Sequence, residues 1–380
     1  MKSQEPNIAQ QRKNDHVNHA LSQHQKVMDN EFDRIRFVHH SLNQTNFDTI
    51  DLSTKWANAT HAWPFYINGM TGGSDFTFQF NDKLSHVAQQ TGLAMASGSV
   101  SAALKDPSVN RSYQVIRQNH PNGFVMANLG AHHGLENAQK AVDLLQADAL
   151  QIHLNIPQEV VMPEGDRDFS SWQENIHNIV VKIGVPVIVK EVGFGMSKET
   201  MKILKDLGVE TIDISGRGGT NFITIENDRR DHLDFSTLAN WGQTSPESLI
   251  EAQPFIQSQQ LHVLASGGIR HFIDIYKAIA LGAQAAGLSG HFLKMVHDHG
   301  VDQTVQTIED WKESLKHLSL LLGSQSITDI QKHPIILDAS LKDWALQRGI
   351  SIDHLAQRGK QLTLPSLPDQ PISSKGPYFA

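Results

Sequence analysis

Eight short apolar runs restrict the fold of this chain more than any other feature. They lie at 65–70, 93–97, 123–128, 149–155, 186–191, 211–215, 262–266 and 285–289. Each is too short for a helix and apolar on both faces, with Gly, Ser or Asn close by its end. That is how strands buried on both sides of a parallel sheet read. Segments that can carry amphipathic helices lie between them, among them Asn81–Gln90, Leu135–Leu145, Trp172–Ile183, Lys198–Leu207 and Phe272–Leu281. Gly92, Gly184, Gly208 and Gly282 follow four of these, as expected at helix C-termini. Strand and helix alternating eight times predicts a (β/α)₈ barrel of the α/β class. A doubly wound sheet also alternates, but eight repeats of roughly 25–30 residues match the barrel length better.

Three parts follow from this pattern. Residues 1–60 form an N-terminal extension without strand pattern, with a polar stretch that could be helical through Ala20 to Met28. Residues 61–322 form the barrel, closed by a helix over Val301–Leu322. Residues 323–380 read as a polar helical extension ending in the Pro-rich PSLPDQPISSKGPYFA. About 40 residues separate the sixth strand's Gly216–Gly219 loop from the seventh strand. An insertion of that size on a barrel is usually a lid or added binding wall.

Composition removes several function classes. Net charge is −8 and no Lys/Arg block stands out, which argues against a nucleic-acid surface. The absence of cysteine excludes disulfides, thiolate metal sites and a cysteine nucleophile. No apolar run reaches 18 residues, and the N-terminus lacks a signal-peptide core, so a cytoplasmic protein with no membrane span is expected.

In a barrel the C-terminal ends of all strands converge, so their polar residues share one site. The richest is the fourth, ALQIHLNIPQEVVMPE (149–164), which delivers His153, Asn155, Gln158 and Glu159 within seven residues. His153 and Asn155 alternate and would share a face. His153 could equally be a packed core histidine, and Glu159 a magnesium ligand or an exposed loop carboxylate. Lys190 ends an otherwise apolar strand. It reads as a cation facing an anionic group, as a Schiff-base lysine, or as an ion pair with Glu191, the last disfavoured because neighbours on a strand point oppositely. After strands seven and eight come SerGlyGlyIleArg (266–270) and GlyLeuSerGly (287–290). Those are the places where barrels bind phosphate, on backbone N–H groups and a helix N-terminus.

Taken together, RKNDH, RFVHHSL, MTGGS, LAMASGS, the HLNxxQE pattern at 153–159, IVKEVGFGMS, DISGRGGTNF and SGGIR resemble the type 2, flavin-dependent isopentenyl-diphosphate isomerases over nearly the whole chain. The resemblance implies an FMN-binding barrel with cofactor contacts at Met70, Thr71, Gly72, Ser97, Asn128, Lys190 and Thr220. It places the FMN phosphate on Gly267, Gly268, Arg270, Ser289 and Gly290. Arg12, Lys13, His153 and Asn155 would meet the substrate diphosphate, with Arg12 and Lys13 coming from the same or a neighbouring subunit. Gln158 would stand beside the reacting carbons and Glu159 would bind Mg²⁺. It further implies NADPH as flavin reductant and a homo-oligomer, commonly a tetramer or larger.

The implied reaction moves a double bond with no net redox change, which agrees with the lack of a GxGxxG fingerprint after any strand. An FMN-dependent 2-hydroxy-acid oxidase or dehydrogenase shares the barrel and the phosphate loops. Those enzymes need a histidine base just after the sixth strand, and here the sequence is SerGlyArgGlyGlyThr (215–220). A flavin-binding protein without turnover would have no use for Arg12, Lys13, Gln158 and Glu159.

Overall fold

The computed structural model describes residues 8–23 and 30–359. Eight parallel strands close into a barrel: Phe65–Ile67, Met95–Ala96, Val125–Gly130, Ala149–His153, Val187–Lys190, Thr211–Asp213, His262–Ser266 and Ala285–Leu288. The eighth returns to the first, with Ala286 opposite Phe65. Each strand overlaps one predicted run. The helices Asp75–Thr91, Leu135–Leu145, Trp172–Lys182, Lys198–Asp206 and Phe272–Ala280 occupy the predicted segments, and Gly300–Leu322 closes the ring. Local chemistry sets their ends. Ser74 and Thr77 form a reciprocal capping box at the start of the first of these, and Gly92 ends it in the left-handed region at φ 66°.

Alternation along the strands divides the interior in two. Phe65, Ile67, Val125, Ala127, Leu150, Ile152 and Val189 point outward into the core beneath the helices. Tyr66, Met126, Ala149, Ile188, Leu264 and Ala285 point inward and fill the lower barrel with Trp56. Two residues further along five of these strands, the inward positions become polar, as Asn68, Asn128, Gln151, Lys190 and Ser266, and Asp213 of the sixth strand joins them, all buried. Period-two geometry thus stacks a polar layer on an apolar one and directs it to the C-terminal mouth.

The lower end is plugged by a hairpin, Thr54–Trp56 with Ala59–His61. Trp56 stacks on His61 at 3.8 Å and touches Phe124, just before the third strand. The Thr54 hydroxyl donates to the backbone oxygen of Gln284, just before the eighth.

Three expectations change. The first 60 residues do contain strands: besides the hairpin, Ile35–Phe37 pairs antiparallel with Ile335–Leu337. Strands of three residues are too short to leave a periodic signature. That pairing joins the N- and C-terminal extensions in one ribbon, so the C-terminal extension is not wholly helical. The start of RFVHHSL, Arg36 and Phe37, belongs to this ribbon. The N-terminal helix starts earlier than expected, at Ile8, and runs to Gln23. Among its described side chains the buried ones are Val17, Ala20 and the polar Lys13 and His16, too thin an apolar stripe to read. Residues 24–28 of the predicted helix and the Pro-rich tail lie outside the described residues. Finally, the fourth strand stops at His153, and Asn155 stands before the short helix Ile156–Val161 instead of sharing the strand face. Among the described residues no helix is long and apolar enough to cross a membrane.

Candidate active site

The mouth of the barrel holds a cavity of about 400 Å³, the size of a small-molecule site. One wall is made of glycine loops: Gly216, Gly219 and Thr220 from the sixth loop, Gly267 and Gly268 from the seventh, Ser289 and Gly290 from the eighth. Gly267 sits at φ +89°, and a Cβ there would lie 1.9 Å from the Gly216 carbonyl oxygen. Backbone is therefore pressed against backbone, which only glycine permits. Gly290 opens the helix Gly290–Asp298, whose first two residues, Gly290 and His291, line the cavity. Gly267→Ala is expected to destabilise the fold by roughly 2–5 kcal/mol through strain and overpacking. Urea denaturation checks this, and an unchanged midpoint would refute the close approach.

The facing wall joins the fourth-strand loop to the N-terminal helix. Asn155 Nδ2 donates to Glu159 Oε1 at 2.8 Å, and the Asp166 N–H donates to Glu159 Oε2 at 2.9 Å. Gln158 Nε2 donates to Glu226 Oε1 at 2.7 Å, and His16 Nε2 lies 2.8 Å from the same oxygen. Arg229 pairs with the other Glu226 oxygen. Burial alone would raise the Glu226 pKa, but the bonds from His16, Gln158 and Arg229 outweigh it and hold the carboxyl at about 2. Glu226 comes from the insertion after the sixth strand, which therefore builds part of this wall.

Arg12 and Lys13 come from the chain itself. Arg12 lies 3.8 Å from Glu164, and its Nε is buried without a partner. Lys13 makes no hydrogen bond or ion pair among the described residues. Burial, reinforced by the Arg12 charge and opposed by Glu226, draws its pKa down to about 7. Two incompletely paired cations over a cavity are suited to an anion.

Lys190 lines the cavity, and its Nζ donates to the backbone oxygen of Glu191 at 2.7 Å. Burial lowers its pKa, while the charges of Asp213 and Glu191 oppose that. The Glu191 carboxylate turns away and accepts from the N–H groups of Val192, Gly193 and Phe194. The side-chain ion pair considered from sequence is therefore absent, for the alternation reason given above.

Met70, Asn128, His153, Asn155, Gln158 and Glu159 all line the cavity, but four sequence candidates do not. Thr71 and Ser97 lie just beneath, both buried, their hydroxyl oxygens without partners. Gly72 packs on the Tyr113 ring. Arg270 is held away by Asp274 and Asp33, with Nε to Asp274 Oδ2 at 2.8 Å and Nη2 to Asp33 Oδ1 at 2.6 Å. The SGGIR loop thus brings Gly267, Gly268 and Ile269 to the wall, and not the guanidinium. Sequence reasoning also missed His16, Asn68, Gln151, Asp213 and Glu226. Gln151 and Asp213 were findable, because each is a polar residue at an inward position of an apolar strand, the signal used for Lys190. Glu226 sits in an irregular insertion and carried none.

The residues present suit FMN. Glycine loops and a helix N-terminus can hold its phosphate, and the unpaired Thr71 Oγ1, Ser97 Oγ and Asn155 Oδ1 are buried polar atoms in want of partners. For a metal the set is sparse. Among the described residues no group of three or more His, Cys, Asp or Glu could hold one. Glu159, with Glu164 and Asp166 also on the lining, could bind Mg²⁺ only together with oxygens of a ligand.

The family profile described as FMN-dependent dehydrogenase matches residues 117–337. The chain is 47% identical over 343 residues to the isopentenyl-diphosphate delta-isomerase of Staphylococcus haemolyticus, covering 90% of this chain and 97% of that one. It is 46% identical to the enzyme of the same name from Staphylococcus saprophyticus, covering 91% and 99%. Among solved structures it is similar to the flavin-binding domain of baker's yeast flavocytochrome b2, with TM-score 0.60, 19% identity and coverage of 87% and 80%. A mandelate oxidase mutant is similar with TM-score 0.56, 17% identity and coverage of 85% and 92%. At those identities the structural likeness bears on the fold alone.

Proposed function

Because this chain belongs to the isopentenyl-diphosphate delta-isomerase family, we propose that it interconverts isopentenyl and dimethylallyl diphosphate, in isoprenoid biosynthesis, with FMN and Mg²⁺ at the barrel mouth. The observation that carries this reading is the N-terminal helix, which lays Arg12, Lys13 and His16 over the barrel mouth beside His153 and Asn155. A protein needing only a flavin has no use for a second anion site there.

The reaction adds a proton to the terminal alkene carbon and removes one from the allylic carbon. Alkenes are very weak bases, so positioning and exclusion of water must contribute much of the rate. When bound and reduced, with NADPH as reductant, FMN supplies an electron-rich ring that can exchange protons and stabilise positive charge. Lys190 supplies a fixed cation at the inner end of the cavity. Gln158, locked by Glu226, keeps its amide at one orientation beside the reacting carbons. Arg12 and Lys13 would hold the diphosphate, and Glu159 would hold Mg²⁺, which would supply positive charge to offset that of the phosphates.

The oxidase alternative lacks its base here, since the loop from Ser215 to Thr220 has no histidine. Anaerobic turnover with FMN, Mg²⁺ and NADPH, omitting each in turn, tests the proposal. Isomerisation requiring reduced flavin but consuming no stoichiometric NADPH is expected. A flavin that is reduced while the substrate stays unchanged would overturn it.

Glu159→Gln keeps one oxygen but loses the charge, so the Mg²⁺ needed for half-maximal activity should rise on the order of 10- to 100-fold. An unchanged magnesium titration would reject Glu159 as the ligand.

A further inference from the structure

The polar layer inside the barrel is a directional chain of hydrogen bonds. Asp213 accepts from four donors: the Tyr66 hydroxyl at 2.9 Å, Asn68 Nδ2 at 2.8 Å, the Ser215 N–H at 3.2 Å and the Ser266 hydroxyl at 2.7 Å. A carboxyl satisfied entirely by donors is an acceptor only. Asn68 must therefore turn its NH₂ to Asp213, which leaves its Oδ1 for the Gly69 N–H at 2.9 Å and Gln151 Nε2 at 3.1 Å. Gln151 Oε1 in turn accepts from Asn128 Nδ2 at 3.0 Å. Only Asn128 Oδ1 remains for His153 Nδ1, at 2.9 Å. The polarity is set twice at Asn68, by a carboxylate that only accepts and by the Gly69 N–H that only donates, and it passes from there through Gln151 and Asn128 to His153.

We infer that this relay fixes His153 with Nδ1 as the donor and Nε2 as an unprotonated acceptor, so that an anionic phosphate can bind His153 only by bringing a proton to Nε2. Asp213, Asn68, Gln151 and Asn128 are then positioning residues that act through the imidazole. The inference deepens the diphosphate reading and rests on it for the identity of the anion.

His153 Nε2 has no hydrogen-bond partner among the described residues. A lone pair facing a phosphate oxygen repels it; a proton between them makes a charge-assisted bond. The groups facing His153 all favour the neutral ring in the free protein. Lys190 pairs with it in register on the fifth strand, Lys13 faces it from the N-terminal helix, and His132 and His133 face it from beyond the third strand. Burial and these neighbours push its pKa well down. Bound phosphate reverses that balance, and linkage then requires proton uptake.

Two measurements test this. Nitrogen-15 histidine NMR of the free protein at pH 8, with the His153 signal assigned by its loss in His153→Gln, reads the tautomer directly. The expected signal is protonated Nδ1 with bare Nε2, and Gln151→Leu should shift it toward the other tautomer or a mixture. Protonated Nε2 in the wild type would overturn the relay, and so would a Gln151→Leu signal identical to wild type. Calorimetry of isopentenyl diphosphate with Mg²⁺ binding to the oxidised protein, in buffers of different ionisation heat, reads the proton. Wild type should take up about one proton more than His153→Gln. Equal uptake would refute the coupling. If isopentenyl diphosphate does not bind at all, the diphosphate reading and the proton coupling fall together. The tautomer signal still decides the relay by itself.

Discussion

Lys190→Ala is expected to lower turnover on the order of 10²–10³-fold or more, the range seen when a preorganised electrostatic partner is removed. The variant should also bind FMN more weakly. Lys190 stands at the inner end of the cavity in the same strand register as His153 and Asp213. Its only hydrogen bond among the described residues goes to a backbone oxygen. A buried ammonium bonded to one carbonyl, with Asp213 and Glu191 contributing charge only, retains donor capacity for a ligand. Removing it takes a fixed positive charge from a low-dielectric place where negative charge would sit on the reduced cofactor. Lys190→Arg separates charge from shape: it should recover part of the flavin affinity while the larger group impairs turnover. Flavin absorbance after gel filtration and the single-turnover rate are the readouts. A Lys190→Ala protein with normal colour and normal turnover would remove this role.

Much of the scaffold was legible because period-two and period-3.6 patterns are long-range regularities of the chain. Eight apolar runs gave eight strands, and glycines after the helical segments gave helix ends. The cavity's glycine wall was legible for the same reason, since Gly267 and Gly268 follow a strand at the phosphate position of a barrel. What could not be read was direction. Arg270 looked like part of that wall, yet Asp274, one helical turn on, and Asp33, from a distant segment, capture its guanidinium. The three-residue strands of the outer ribbon were invisible because a strand that short carries one alternation at most. Glu226 was hidden for a deeper reason. Its importance lies in three donors contributed by residues 16, 158 and 229. No local pattern encodes a meeting of that kind.

That meeting point makes Glu226→Ala the second large effect. Glu226 is fully buried and receives His16, Gln158 and Arg229. Removing one partner of a buried ionic cluster costs about 3–5 kcal/mol, because His16 and Gln158 stay buried without their acceptor and Arg229 is left with Glu164 alone. Gln158 would also lose the acceptor that fixes its amide, and turnover should fall with it. Glu226→Gln should recover part of the stability but not the turnover: Arg229 keeps an oxygen, while the NH₂ is accommodated only if the His16 ring changes tautomer and the Gln158 amide turns over, which loses its orientation. The sign with pH follows from the same contacts. The folded carboxyl titrates at about 2, below the unfolded value of roughly 4.3. Its contribution is therefore complete above the unfolded value and lost as pH falls through the folded one. His16, whose pKa burial lowers, acts in the same direction: below about 6.5 the unfolded chain takes up a proton that the folded chain resists. Urea titrations from pH 7 down to pH 3 should show wild type losing stability steadily. Glu226→Ala should start lower and lose less between pH 5 and 3. Parallel curves for the two proteins would mean that Glu226 is not the ionised centre of this wall, and the fixed orientation of Gln158 would need another cause.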